Sequence, residues 1–166
     1  MKDLIKLPNG FLCSGISAGI KPDSVLDMAL ISSEPLASVA GVFTTNQVSA
    51  APVKLCKKHL KEPYAKAIIV NSGIANACTG IKGMNAANEM ADFTAKKLEC
   101  LVDQIFVCST GKIGPQLPLD KIKNGITSLV DSLSLENLDL MSKSIMTTDT
   151  HPKVVSRNII INHLWF

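Results

Sequence analysis

Two short apolar runs in this chain stop in the same way. Ile105–Phe106–Val107 leads into Cys108–Ser109–Thr110–Gly111–Lys112–Ile113–Gly114, and Ala67–Ile68–Ile69–Val70 leads into Asn71–Ser72–Gly73. Uninterrupted apolar residues suit a strand buried on both faces, which requires helices packed around a sheet. Each run ends in a small, hydroxyl-bearing, glycine-bounded segment. Gly111 lacks a Cβ, so its backbone can approach a ligand closely. Exposed amides in such a segment can hold a developing negative charge, on an oxyanion or on a phosphate. The recurrence of the design points to a site assembled at one edge of a sheet.

The 166 residues suffice for one domain with a real core. With 46% hydrophobic and 19% charged residues, disorder is excluded. Aromatics are scarce, so the core is aliphatic. A formal charge of +3, carried by dispersed basic residues, argues against a nucleic-acid partner. Five cysteines (Cys13, Cys56, Cys78, Cys100, Cys108) form no Cys-x-x-Cys pair and fit reduced thiols of a cytoplasmic protein. Cys56 and Cys108 lie within apolar patterns, as core thiols do. The first residues lack a signal-peptide apolar region, and no run approaches membrane-spanning length. The three histidines are far apart and show no metal-ligand spacing.

Strands are expected at Asp27–Ile31, ending at Ser32-Ser33, and at Ala37–Thr45, Ala67–Val70, Gln104–Val107 and Lys153–Ile161. The spacing of Val53, Cys56 and Leu60 predicts a helix capped by Ser49. Asn85 is expected to cap a second helix of about fourteen residues, burying Ala86, Met90 and Phe93 on one side with Ala87, Ala91 and Leu98 beside them. Asp120 should cap a third, carrying Ile122, Ile126, Leu129, Val130 and Leu133, in which Gly125 costs up to ~1 kcal/mol relative to Ala. Leu138, Met141 and Ile145 mark a fourth. Strands alternating with helices and no internal linker give one α/β domain.

Four polar clusters are candidate sites. At Thr110-Gly111 a hydroxyl and the adjacent N–H can donate to an oxyanion; the plain alternative is a tight turn. Asn71-Ser72-Gly73 with Asn76 can orient a polar substrate, or Asn71 can satisfy its own backbone. Thr147-Thr148-Asp149-Thr150 can bind the ammonium and carboxylate of an amino acid, or cap a helix. Thr44-Thr45-Asn46 most simply ends a strand. Lys112 and Lys153 are candidate carboxylate partners, and His151, before Pro152, reads as a turn residue. No Walker loop, dinucleotide fingerprint or Ser-His-Asp order occurs.

Taken together, several strings resemble the ornithine acetyltransferase (glutamate N-acetyltransferase) family of arginine biosynthesis. They are Gly41–Val42–Phe43–Thr44–Thr45–Asn46 with Ala50-Ala51-Pro52-Val53; Asn71–Ser72–Gly73–Ile74–Ala75–Asn76–Ala77–Cys78–Thr79–Gly80; Ser109–Thr110–Gly111–Lys112–Ile113–Gly114 with Leu117-Pro118; and Thr147–Thr148–Asp149–Thr150 with Pro152-Lys153. The similarity runs from about Gly10 to about Asn162. It implies a layered α/β/β/α architecture, of which residues 1–162 would be the N-terminal, α-subunit-like part and 163–166 an atypical tail. It implies acetyl transfer from N-acetylornithine to glutamate through an acetyl-enzyme in a ping-pong cycle, without a cofactor, acetyl-CoA serving some members as donor. By motif match, Thr110 and Gly111 would be the oxyanion donors, and Thr147 or Thr148, with Thr147 favoured, would contact substrate. The family precursor cuts itself into α and β chains that assemble as a heterotetramer of two α and two β. The freed N-terminal Thr of β is the nucleophile, activated by its own α-amine. This chain departs from the pattern in Lys112, where an apolar residue is usual, in Asn162–Phe166, and in lacking the Gly-Gly-x-x-Lys-Gly segment and cleavage site that follow. The resemblance therefore implies an α-type chain inactive alone and dependent on a β chain. A non-catalytic remnant that binds partner subunits, and an unrelated phosphate-binding domain, are the competing readings.

Overall fold

The computed structural model describes residues 6–157, 160–161 and 164–165. Four strands, β1 (Phe11–Ile16), β2 (Met28–Ser38), β3 (Tyr64–Ile74) and β4 (Ile105–Lys112), form one sheet in the order β1-β2-β3-β4. β1–β2 and β2–β3 are antiparallel, and β3–β4 is parallel. The helices are α1 (Ala51–His59), α2 (Gly80–Lys97), α3 (Leu119–Asp131) and α4 (Leu138–Ser144), with a 3-10 turn at Val102–Gln104. The chain is thus α/β, with a mixed sheet.

Strand alternation sorts the core. One face of the sheet carries Met28, Leu30, Ala67, Ile69, Ile105 and Val107. It packs on Ala86, Ala87, Met90 and Ala91 of α2 and Ile122, Ile126 and Leu129 of α3. Small residues on α2 let that helix lie close to its neighbours. Gly125 does the same for α3: a Cβ there would sit 2.6 Å from Met28 Sδ and 2.9 Å from Ala18 Cβ. Its low helix propensity is the cost of close approach.

The opposite face is covered only in part. α4 lies over β1 and β2, where a Cβ on Gly15 would meet the Leu140 carbonyl at 2.5 Å. Farther along, Ile31 and Val70 are half-buried, Ile68 is 36% exposed and Cys108 is exposed. Both sheet edges are guarded. Cys13 of β1 exchanges two backbone hydrogen bonds with Ser134, each 3.0 Å. Along β4, His59 Nδ1 donates to the Ile105 carbonyl (2.8 Å) and Cys56 Sγ to that of Val107 (3.2 Å).

Several expected boundaries differ. β2 does not stop at Ser32-Ser33 but continues to Ser38, across a register shift between Ser32 and Ala37. The strand expected at Ala37–Thr45 is therefore absent beyond Ser38, and residues 39–46 have no regular structure. Both central strands outlast their apolar runs, because backbone pairing does not require apolar side chains. Ala50, not Ser49, occupies the N-cap of α1, with Pro52 in its first turn. Val53 is only half-buried, whereas Leu55 and His59 are buried. α2 begins at Gly80, five residues before Asn85. Pro118 is the N-cap of α3, and Asp120 sits in its first turn, where a carboxylate still favours the helix dipole. Residues 153–157 are irregular rather than strand. Ile160–Ile161 pairs with Leu164–Trp165, and residues 158–159 lie outside those described.

Cys108 reaches the open sheet face instead of the core expected for it, but the protein crowded around its sulfur desolvates the thiolate and, with the nearby Cys56 thiol, pushes the thiol up to about 11. At pH 8 a free cysteine, near 8.5, carries roughly 240-fold more thiolate. Alkylation of Cys108 by iodoacetamide at pH 8 is expected to be about 100-fold slower than that of free cysteine, and to accelerate with pH up to about 11. Peptide mapping by mass spectrometry checks this, with exposed Cys78 as the internal comparison.

Candidate active site at the end of the parallel strand pair

The register of β3 on β4 sets Ser72 beside Thr110 and Gly73 beside Gly111. The two motifs thus come together as the ends of two paired strands. The expectation of free turns is corrected in that respect, since both glycines lie inside the ladder. The amides of β4 remain partly available because β4 is an edge strand. The outward carbonyls of Ile105 and Val107 fix the alternation, so the odd-numbered residues face away from β3. Gly111 N–H therefore points outward, past the stretch that Cys56 and His59 cover. Gly111 is exposed and Thr110 half-buried.

The same alternation sends the Thr110 side chain to the partly covered face, in one row with Ser72. Val70 and Cys108 form the next row, and Ile68 and Phe106 the one after. Ser72 is fully buried at the end of α4: its Oγ donates to the Ser144 carbonyl (2.5 Å), and its N–H to that of Asp27 (2.8 Å). α4 ends at Ser144, and the chain runs on through Met146 to Thr147 and Thr148, both exposed. Ser72 thus links the row that holds Thr110 to the segment that holds Thr147 and Thr148.

On the other face, Asn71 supports this edge. Its Nδ2 donates to the Ile74 carbonyl (2.9 Å), and its Oδ1 accepts from Ser109 Oγ (2.6 Å). Asn76, with φ +48°, donates from Nδ2 to the Gly83 carbonyl (2.9 Å) and accepts from Thr79 Oγ1 (2.8 Å). Both asparagines are fully buried. Their amides are engaged inside the protein, which corrects the substrate-orienting reading. Asn71 bonds a carbonyl three residues on rather than its own backbone. At Thr44-Thr45-Asn46 the hydroxyl and amide cap their own loop, at 3.1 and 2.9 Å.

In the last cluster, Asp149 accepts from Lys153 and from Thr147 N–H (3.4 Å). The hydrogen bond from Lys153 is the main reason its carboxyl lies below the ordinary range. Lys153 is accordingly spoken for by Asp149. Lys112 is exposed, and its carbonyl accepts Ala75 N–H (2.9 Å). His151 Nδ1 lies 3.0 Å from Thr150 Oγ1 at the surface. Two clefts, one about 1010 Å³ beside α4 and one about 600 Å³ beside Lys66, include none of Thr110, Gly111, Thr147 or Thr148. The candidate site is an open surface.

Outward amides and a hydroxyl thus lie together at the end of a strand pair. Residues 12–165 match the ArgJ family, and the chain belongs to it. It is 50% identical over 152 residues to the arginine biosynthesis bifunctional protein ArgJ of Caldanaerobacter subterraneus subsp. tengcongensis, covering 92% of this chain and 38% of that protein. The ArgJ protein of Geobacter sulfurreducens is 46% identical over 148 residues, covering 89% and 38%. Among solved structures, the ornithine acetyltransferase of Mycobacterium tuberculosis, complexed with ornithine, matches with a TM-score of 0.85 at 42% identity, covering 87% of this chain and 79% of that one. An ArgJ structure from Bacillus halodurans matches with a TM-score of 0.84 at 35% identity, covering 97% and 88%. The chain thus spans well under half the length of the curated relatives but most of the solved chains. No described helix is long and apolar enough to cross a membrane.

Proposed function

We propose that this chain is the α-type part of an acetyltransferase of arginine biosynthesis that moves acetyl from N-acetylornithine to glutamate. The observation that carries the reading is the pairing of Ser72–Gly73 with Thr110–Gly111 at an open strand edge, tied through Ser144 to the Thr147-Thr148 segment. When a nucleophilic hydroxyl attacks the acetyl carbonyl, the carbonyl oxygen becomes an alkoxide. Thr110 Oγ–H and Gly111 N–H are the donors that meet it, each worth roughly 3 kcal/mol in the transition state. Thr147, with Thr148 beside it, contacts the amino-acid portion of the substrate. Glutamate then takes the acetyl group from the enzyme in the second half of the ping-pong cycle. The chain needs no resident cofactor, and acetyl-CoA is a further donor of the right chemistry.

The nucleophile is the N-terminal Thr of a β chain, in a two-α, two-β assembly in the cytoplasm. The partner chain covers the open sheet face of Ile31, Ile68 and Val70. The contrast in coverage, 38% of the curated relatives against 79% and 88% of the solved chains, supports division of the family into two chains. Co-expression with a family β chain, followed by assay of acetyl transfer from N-acetylornithine to labelled glutamate, tests the reading. The co-purified assembly should turn over, and the 166-residue chain alone should not. A stable assembly without transfer would overturn the proposal.

A further inference from the structure

Lys21 is half-buried and donates two hydrogen bonds to carbonyls that are remote from each other in sequence. Its Nζ lies 3.0 Å from the Leu26 carbonyl and 2.5 Å from that of Met146, 125 residues away. Its backbone is fixed as well. The fully buried Asp27 carboxylate accepts the N–H groups of Ala18 (2.7 Å), Ile20 (2.6 Å) and Lys21 (2.9 Å). The stem of Lys21 lies over the end of β3, where a Cβ added to Gly73 would come within 3.1 Å of Lys21 Cγ. One side chain therefore touches the strand end that pairs with Gly111 and holds the peptide that leads directly into Thr147.

We propose that Lys21 is a positioning residue. Its ammonium fixes the Met146–Thr147 peptide against the Gly73–Gly111 strand ends and so sets where Thr147 and Thr148 meet the substrate. A second tether, Ser72 Oγ to the Ser144 carbonyl, holds the end of α4, and the Met146 N–H bonds back to the Lys143 carbonyl (3.2 Å). The Lys21 bond holds the other end of Met146, its carbonyl, in the peptide that leads into Thr147. An ammonium suits the task because it offers three donors on a compact charge, and burial of its stem leaves those donors aimed at carbonyls. The substrate-contacting role of Thr147 rests on the function proposed above; the tether itself does not.

Amide relaxation of the ¹⁵N-labelled 166-residue chain tests the tether. In wild type, Thr147 and Thr148 should show order parameters near 0.85; in K21M these should fall below about 0.6, with Ile69 and Val107 unchanged. The Thr147 amide nitrogen, which shares a peptide with the Met146 carbonyl, should shift, and K21R should recover at least half of both changes. Unchanged order parameters in K21M, or an equal fall in the central strands, would overturn the proposal. Should K21M fail to fold, K21Q, whose shorter neutral side chain cannot span to the Met146 carbonyl, replaces it: a shifted Thr147 nitrogen with a lowered order parameter supports the proposal, and unchanged values overturn it. In the two-chain assembly, K21M should raise KM for N-acetylornithine about tenfold and lower kcat less than threefold; the reverse split would count against positioning. A wild-type assembly without transfer refutes the acetyltransferase reading, while the relaxation result still decides the role of Lys21.

Discussion

Replacing Thr110 by Ala is expected to lower kcat for acetyl transfer by 10²- to 10³-fold in the two-chain assembly, with KM for N-acetylornithine changed less than about threefold. The size of the effect follows from where the negative charge forms. The ground-state acetyl oxygen is a weak acceptor, and water serves it nearly as well. In the tetrahedral adduct that oxygen is an alkoxide, and a fixed donor is then worth far more. Thr110 lies in one row with Ser72, which is buried and bonded at both its N–H and its hydroxyl. Its backbone is thereby held rigid, and its hydroxyl need not be reorganised during the reaction. Thr110→Ser keeps the donor and should retain most of the activity. Steady-state and acetyl-enzyme burst kinetics on the assembled protein measure both variants. A folded Thr110→Ala assembly within fivefold of wild type would sink the assignment.

How much of this was legible in the sequence depended on which interaction fixed each element. The apolar runs at 67–70 and 105–107 identified the two central strands, because burial dictates their composition. The ends of those strands were not legible. Asn71–Gly73 and Cys108–Lys112 are polar or small, and only the backbone ladder between them makes them strand. The periodic helix α3 was visible in Ile122, Ile126 and Leu129, all fully buried. The start of α2 was not, since Gly80 and Gly83 are poor helix formers and Ile81 faces solvent, and an internal hydrogen bond from Thr79 to Asn76 organises its entry. His59 escaped notice because nothing local marks a histidine whose partner carbonyl is 46 residues distant.

The candidate site was legible as motifs but not as an arrangement. Strings around Gly73, Gly111 and Thr147 stood out separately. What joins the first two is a parallel register, which no local pattern encodes. What joins the third is a pair of side-chain-to-backbone bonds, from Ser72 and Lys21, spanning 72 and 125 residues. The substrate-orienting reading of Asn71 and Asn76 failed for a related reason. An amide's donors and acceptors are spent wherever burial demands, and both asparagines are fully buried. Their contribution is to hold the strand end and the following loop in shape, so that Thr110 and Gly111 can remain at the surface.

Gly111→Ala should be the most damaging single-methyl change in the region, and Gly114→Ala is its natural control. Both glycines have φ in a range that L-residues rarely adopt, +127° at Gly111 and +109° at Gly114. Backbone strain of about 1–3 kcal/mol therefore applies to each substitution. They differ in space. A Cβ at Gly114 meets nothing within 4 Å, whereas one at Gly111 would overlap the Gly73 carbonyl carbon and lie 2.5 Å from its oxygen and 2.7 Å from Ile74 N. Those atoms belong to the end of β3, which is held by the Asn71 amide on the Ile74 carbonyl and by Ile20 and Lys21 lying against Gly73, so they cannot give way cheaply. Overpacking adds about 1–3 kcal/mol. Gly111→Ala is therefore expected to cost about 2–6 kcal/mol in total, and Gly114→Ala only the strain. At roughly 2–4 °C per kcal/mol for a domain of this size, Tm should fall about 2–12 °C further in Gly111→Ala than in Gly114→Ala. Relief would come by parting the last rungs, Gly73–Gly111 and Ile74–Lys112, together with the Ala75 to Lys112 hydrogen bond. That parting moves the Gly111 amide away from the Thr110 hydroxyl, so transfer by the assembly should be lost with the rungs. Calorimetry and amide exchange at Gly73–Ala75 measure the two consequences. Equal Tm values for the two variants would mean that β4 does not approach β3 at Gly111 as closely as the register requires.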